Sequence, residues 1–200
     1  DLKGKKIGIA GGPLDKSWLI LRAYAQAHDG LDLAAETEQV FGAPPLIMEA
    51  ALSGDVDAAI NFWHFMAKME AAGMTTLLPV DQAASDMGLD PATPLLGYVL
   101  KGSVVETSPE LAEGLAKASR AAKDKLAHDP EAFARIRPIM NAKSDAQFEA
   151  LKAGFVAGIP ADAPVDAAAA QKMLDLMVSL GGSELMGKAT TLPEGTFLSY

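Results

Sequence analysis

Short apolar runs and helical stretches alternate through the first eighty residues. Lys5 to Ala10 sets Ile7 and Ile9 among small neighbours, as a brief buried strand does, and stops at Gly11-Gly12-Pro13. Trp18, Leu19, Leu21, Arg22 and Ala25 then recur at helical spacing until Gly30. Glu36 to Phe41 predicts a second strand, closed by Gly42-Ala43-Pro44-Pro45, and Ile47 to Leu52 a short helix stopped by Ser53-Gly54. Val56 to Ile60 is a third strand, running out at Asn61-Phe62-Trp63-His64-Phe65. A further helix carries Met66, Met69 and Glu70 to Gly73, and Thr75 to Val80 predicts a fourth strand. Strands and helices alternating at this pace predict βαβ units and a mostly parallel sheet.

The remainder changes character. Asp90-Pro91-Ala92-Thr93-Pro94 reads as a connector and Leu95 to Lys101 as a strand beyond it, after which the pattern is nearly all helical. Leu111, Leu115, Ala118, Ala122 and Leu126 form one apolar stripe, opened by Thr107-Ser108-Pro109-Glu110. Phe133 to Met140, the Phe148-Leu151-Phe155 stretch and Ala167 to Leu180 predict three more helices, the last stopped by Gly181-Gly182. Thr190 to Tyr200 reads as irregular. The expected division is therefore an α/β lobe over residues 1–94 and a helical half with one strand over residues 95–200.

Half of the 200 residues are apolar, enough for a real core, and the methionines at 66, 69, 74, 173, 177 and 186 read as core filling. The formal net charge is −9 and the basic residues form no face, which removes nucleic acid as a partner. With no cysteine, disulfides, thiolate metal sites and cysteine nucleophiles are excluded. No apolar run approaches the roughly 20 residues that span a bilayer, and no signal peptide opens the sequence.

In an open parallel sheet, ligands bind outside the carboxyl ends of the strands. Three such ends are unusual here: Gly11 to Trp18, Gly42 to Pro45, and Asn61 to Phe65. The first leads into a helix, whose amino end and Gly12 offer backbone donors, with Ser17 and Lys16 beside them. Asp15 there either meets the ligand or caps the helix. The loop is neither of the glycine motifs that cradle nucleotide phosphates. In the third, Trp63 and His64 place an aromatic wall and two polar tips at a strand end, which suits a small organic ligand. Phe62 and Phe65 read as core, and Asn61 as a further candidate contact. His28 and His128 fall near helix ends, and no spacing of His and carboxylates suits a metal. Asp55 and Asp57 read as turn and strand-edge residues.

Three segments carry a family likeness. Asp1-Leu2-Lys3-Gly4-Lys5-Lys6-Ile7-Gly8-Ile9 resembles the "DLKGKKIG" opening of the second lobe of periplasmic binding proteins for nitrate, sulfonates and taurine. Ser53-Gly54-Asp55-Val56-Asp57-Ala58-Ala59 resembles their "xGxVDA" segment. Thr107-Ser108-Pro109-Glu110-Leu111 resembles their "xNPEL" helix start, with Ser108 in place of the usual Asn. Related binding proteins take thiamine-pyrimidine precursors.

The resemblance implies a type II periplasmic-binding-protein fold in which two lobes close on a ligand and deliver it to the membrane subunits of an ABC importer. Residues 1–94 would be the second lobe and 95–200 a hinge strand plus helices returning to the first, whose N-terminal part the chain lacks. Gly12, Ser17, Pro44, Trp63 and His64 match the positions where such a lobe meets its ligand, with Lys16, Asp15 and Asn61 as further candidates. A periplasmic monomer is implied, needing neither cofactor nor metal and carrying no catalysis. One departure concerns ligand class: Gly-Gly-Pro-Leu-Asp-Lys-Ser stands where the family usually has a Ser/Thr-rich loop. The alternatives are an enzyme on the same fold using His64 as acid or base, and a ligand-sensing effector domain. The cysteine-rich motif of pyrimidine synthases and a helix-turn-helix of the LysR type are both absent from the sequence.

Overall fold

The computed structural model describes residues 2–198. The chain falls into two compact units, one formed by the chain up to Thr93 with Val165–Glu194, the other by Pro94–Pro164 with the segment that starts at Gly195.

The first unit is built on three strands, β1 (Lys6–Ala10), β2 (Glu38–Gly42) and β3 (Ala58–Ile60). They are parallel in the order β2-β1-β3, with Gly8 opposite Val40 on one side and Ala59 on the other. Between β1 and β2 run α1 (Lys16–Asp29) and the single turn α2 (Leu33–Glu36). Asp32 caps α2 through its carboxylate, so the second strand starts later than the Glu36 expected from pattern. Helix α3 (Pro44–Ser53) joins β2 to β3, and α4 (Trp63–Glu70) follows β3. Gly30 and Gly54 close α1 and α3 in the left-handed region, at φ 63° and 81°.

Side-chain alternation along β1 sorts the two faces. Ile7 and Ile9 point to one side, where they bury Trp18, Ala25 and Leu33. Gly8 points to the other, where Ile47 of α3 and Val56 press against it. Beyond α3, Met69 joins Ala51 and Val56, with Met48, Met66 and Met74 packed around them.

Two expectations fail in this unit. Thr75 to Leu78 forms no strand. Pro79 lacks an N–H for a ladder, and Val80 instead opens a helix, α5 (Val80–Asp86), that periodicity did not suggest. The Ala167 helix, read as part of the second half, returns to this unit. Leu19 and Ile20 of α1 bury Ala83 of α5 together with Met173 and Met177. The predicted stop at Gly181-Gly182 is a kink, with Gly182 at φ 55°.

In the second unit Leu95 to Lys101 is irregular rather than a strand, because no ladder partner adjoins it among the described residues. Helices α6 (Gly102–Thr107), α7 (Pro109–His128), α8 (Ala132–Ile136, continued by a 3-10 turn at Arg137–Ile139) and α9 (Asp145–Ala157) follow. Then α10 (Ala167–Met186) rejoins the first unit. The stripe on α7 is not a core face: Leu111 is 62% exposed and the buried residue is Ala112. The core of this unit lies around Phe133, Phe148 and Leu151, with Phe155 meeting Phe133 edge-on. The last two residues of the predicted irregular tail, and Asp1 of the opening motif, lie outside the described residues.

Candidate functional site

Because β2, β1 and β3 are parallel neighbours, their carboxyl ends fall along one edge of the sheet, and each leads into a helix. The amino ends of α1, α3 and α4 therefore follow Ala10, Gly42 and Ile60 in turn. The turn after β1 is tied to β2 by a bond from Gly11 N–H to the Gly42 carbonyl at 2.8 Å.

Each predicted residue has a defined place at this edge. Gly12 lies in the turn after β1, and Lys16 and Ser17 in the first turn of α1. Asp15 is the N-cap, its carboxylate accepting from Trp18 N–H at 3.1 Å, so this side chain is engaged in holding α1. Trp18 faces away and is buried against Ile7 and Ile9.

Pro44 and Pro45 are the first two residues of α3 and carry no N–H. This helix end is thereby stripped of half its free donors and presents an apolar wall. Helix α4 opens with Trp63 and His64; no side-chain bond caps it. The sequence placed these residues past a strand end; they occupy instead the first turn of a helix.

Trp63 is 50% exposed. His64 is half-buried, with the Trp63 ring edge-on at 5.6 Å and Phe65 at 4.5 Å. Partial burial, and then the charge of Lys68, hold the His64 imidazole below its ordinary pKa, favouring the neutral ring. Phe62, read from sequence as core, is exposed, while Phe65 lies half-buried with the Lys68 ammonium 5.7 Å from its ring centre. Asn61 spans two segments, its Nδ2 donating to the Pro44 carbonyl and its Oδ1 accepting from Phe62 N–H, both at 2.8 Å.

A cavity of about 510 Å³ adjoins the first turn, lined by Gly11 to Lys16 and by Glu184 and Leu185 of α10. These last two were invisible to motif reading, being brought here from far along the chain by the Gly182 kink. The lining carries the charges of Asp15, Lys16 and Glu184 together. A second cavity, about 1120 Å³, opens beside the free edge of β3 and is lined by Tyr24, Met66, Met69 and Thr75 to Leu78 among others. It contains none of Gly12, Ser17, Pro44, Trp63 or His64. Its lining is the uncovered flank of the core, where the expected fourth strand does not pair.

The remaining histidines make local contacts. His28 stacks on Tyr24 at 4.4 Å, and His128 bonds to Asp124 in the last turn of α7. Asp57 accepts from Lys6 N–H at 2.8 Å and Asp55 from the Ser53 hydroxyl, the edge and turn roles their positions suggested. Among the described residues no cluster of three metal-ligating side chains forms, and no helix is long and apolar enough to cross a membrane.

A mixed α/β unit with a small parallel sheet, surrounded by helices, is compatible with folds of the periplasmic-binding type. The chain belongs to the NMT1/THI5-like family, which it matches over residues 1–133. This is a family of nitrate/sulfonate/taurine-type and thiamine-precursor solute-binding proteins, and membership suggests a solute-binding role. No curated protein matches the chain.

Proposed function

We propose that the protein is the soluble substrate-binding component of an ABC importer, acting in the periplasm. It would hold a small organic solute at the carboxyl ends of β1, β2 and β3 and release it to the importer's membrane subunits. In this reading the chain up to Thr93 is the ligand-gripping lobe of a type II binding fold, and Pro94–Pro164 carries the hinge segment and the helices of the other lobe. Trp63 walls the ligand and Pro44 bounds it. His64 and Ser17 bond to it, Gly12 offers backbone N–H, and Lys16, Asp15 and Asn61 stand at the margin. Closure of a two-lobed receptor then stabilises the bound state by the ligand's differential affinity for the closed form. No catalysis is assigned to this site.

The observation that carries the reading is the half-exposed Trp63 at the edge where three parallel strands end together. A half-exposed tryptophan offers a small ligand apolar ring surface together with a polar N–H. The donors are few and the proline wall is apolar, so the ligand is an organic molecule with an aromatic or compact apolar body and an anionic or polar end.

The test is native mass spectrometry of the protein purified from its expression host, followed by titration of the carried-over compound. Trp63→Ala should weaken that compound's binding about tenfold or more, the effect of losing roughly 1.4 kcal/mol of contact. Unchanged affinity would remove Trp63 from the site. Turnover of the compound, abolished in His64→Ala with binding retained, would replace this reading with an enzymatic one.

A further inference from the structure

Asn61 has a chemistry that neither burial nor family membership assigns. Its carboxamide is short, and it bridges two backbone segments far apart in sequence. The Nδ2 donates to the Pro44 carbonyl in the first turn of α3, and the Oδ1 accepts from Phe62 N–H, one residue before Trp63. The assignment of the two amide atoms is chemically forced. In the flipped amide, oxygen would face the Pro44 carbonyl and NH₂ would face the Phe62 N–H, so both bonds would become repulsions.

We infer that Asn61 is the positioning residue of the candidate site: it clasps the β3–α4 turn to the start of α3 and so fixes the Trp63 backbone relative to Pro44. This rests on the ligand reading only for its functional meaning; the clasp itself is a property of the ligand-free protein. Few side chains can replace it. Aspartate retains the acceptor for Phe62 N–H but has no donor for Pro44 and repels its carbonyl. Serine is too short to bridge both, and glutamine adds a methylene that moves the amide.

The clasp acts at the amino ends of two helices whose bodies are held by other contacts. Ile47 seats α3 on Gly8 and Gly42, and Met69 packs α4 against Ala51 of α3 and against Val56. Those contacts hold the helix bodies. At their first turns the Asn61 amide ties the two segments directly.

The test compares the two tryptophan indole N–H resonances in ¹H–¹⁵N spectra of the ligand-free protein, assigned with Trp63→Phe. Trp18 lies in the core and reports on the fold, while Trp63 reports on the clasp. Asn61→Asp is expected to shift the Trp63 resonance and leave that of Trp18 in place. Asn61→Ser should do the same, and it stands in if the added carboxylate prevents folding. A Trp63 resonance unchanged in these variants would overturn the proposal, as would joint movement of both indoles, which marks general loosening. The measurement needs no ligand, so its failure leaves the ligand reading intact, and unchanged affinity in Trp63→Ala leaves the clasp intact.

Discussion

Ile47 Cγ2 stands 3.1 Å from the point where a β-carbon on Gly8 would lie, with Val56 methyls at 3.4 and 3.6 Å from the same point. The central strand is thus pressed by α3 through a position that only glycine fills without displacing its neighbours. Gly8→Ala should destabilise the protein by about 1–3 kcal/mol, the usual cost of overpacking a tight core. Chemical denaturation measures it, and an unchanged midpoint would mean that α3 sits less closely than described. Combined with Ile47→Ala, the cost should fall short of the sum of the single changes.

The capping role of Asp15 predicts a separable effect. Asp15→Ala removes the acceptor for Trp18 N–H and should cost about 1 kcal/mol of stability. Asp15→Ser, which keeps an acceptor, should recover most of it in thermal melts. A variant as stable as the parent would release this carboxylate from the helix and return it to the ligand candidates.

Met177 decides whether α10 belongs with the sheet unit. It is buried with Leu19, Ile20 and Ala83, so Met177→Ala should cost about 2–5 kcal/mol, in proportion to the cavity it leaves. A cost below 1 kcal/mol in urea unfolding would place this face of α10 on the surface.

His64 predicts a pH dependence with a definite sign. Its folded-state pKa is lowered, chiefly by burial and then by Lys68, so the unfolded chain binds the proton more readily. The stability from the neutral ring is complete above the ordinary imidazole value. It is lost as pH falls through that value toward the depressed one. Unfolding midpoints measured from pH 8 down to pH 5 should decline on this account, and His64→Gln should flatten the decline. Because the ring is only partly buried, the difference is modest. A steeper decline in the variant would reverse the assignment.

The first sixty residues were the most legible part of the chain. Ile7 and Ile9 marked the central strand, Gly30 and Gly54 marked helix ends, and the spacing between them announced a parallel sheet. The shared edge was legible for the same reason: in a parallel sheet every strand's carboxyl end lies on one side, so three loop motifs imply one edge. What misled was local chemistry without partners. Thr75 to Leu78 and Leu95 to Lys101 carry strand-forming residues, yet neither joins a ladder among the described residues. The α7 stripe has helical spacing, yet Leu111 and Leu115 remain exposed while Ala112 is covered.

By itself, then, the order of residues settled local matters in the first sixty residues: where the chain turns after each strand, that Gly30 and Gly54 end helices, and which side of the central strand is apolar. These depend on φ/ψ preferences and on side-chain alternation, both of which act over a few residues. Tertiary structure decided what each apolar face meets, that α10 returns to α1, that Glu184 stands beside the first glycine turn, and that the Asn61 amide is engaged by Pro44. Those outcomes depend on contacts between residues from seventeen to more than one hundred and fifty positions apart. Burial and hydrogen bonding at such separations are settled by the whole packing arrangement, which no local period encodes.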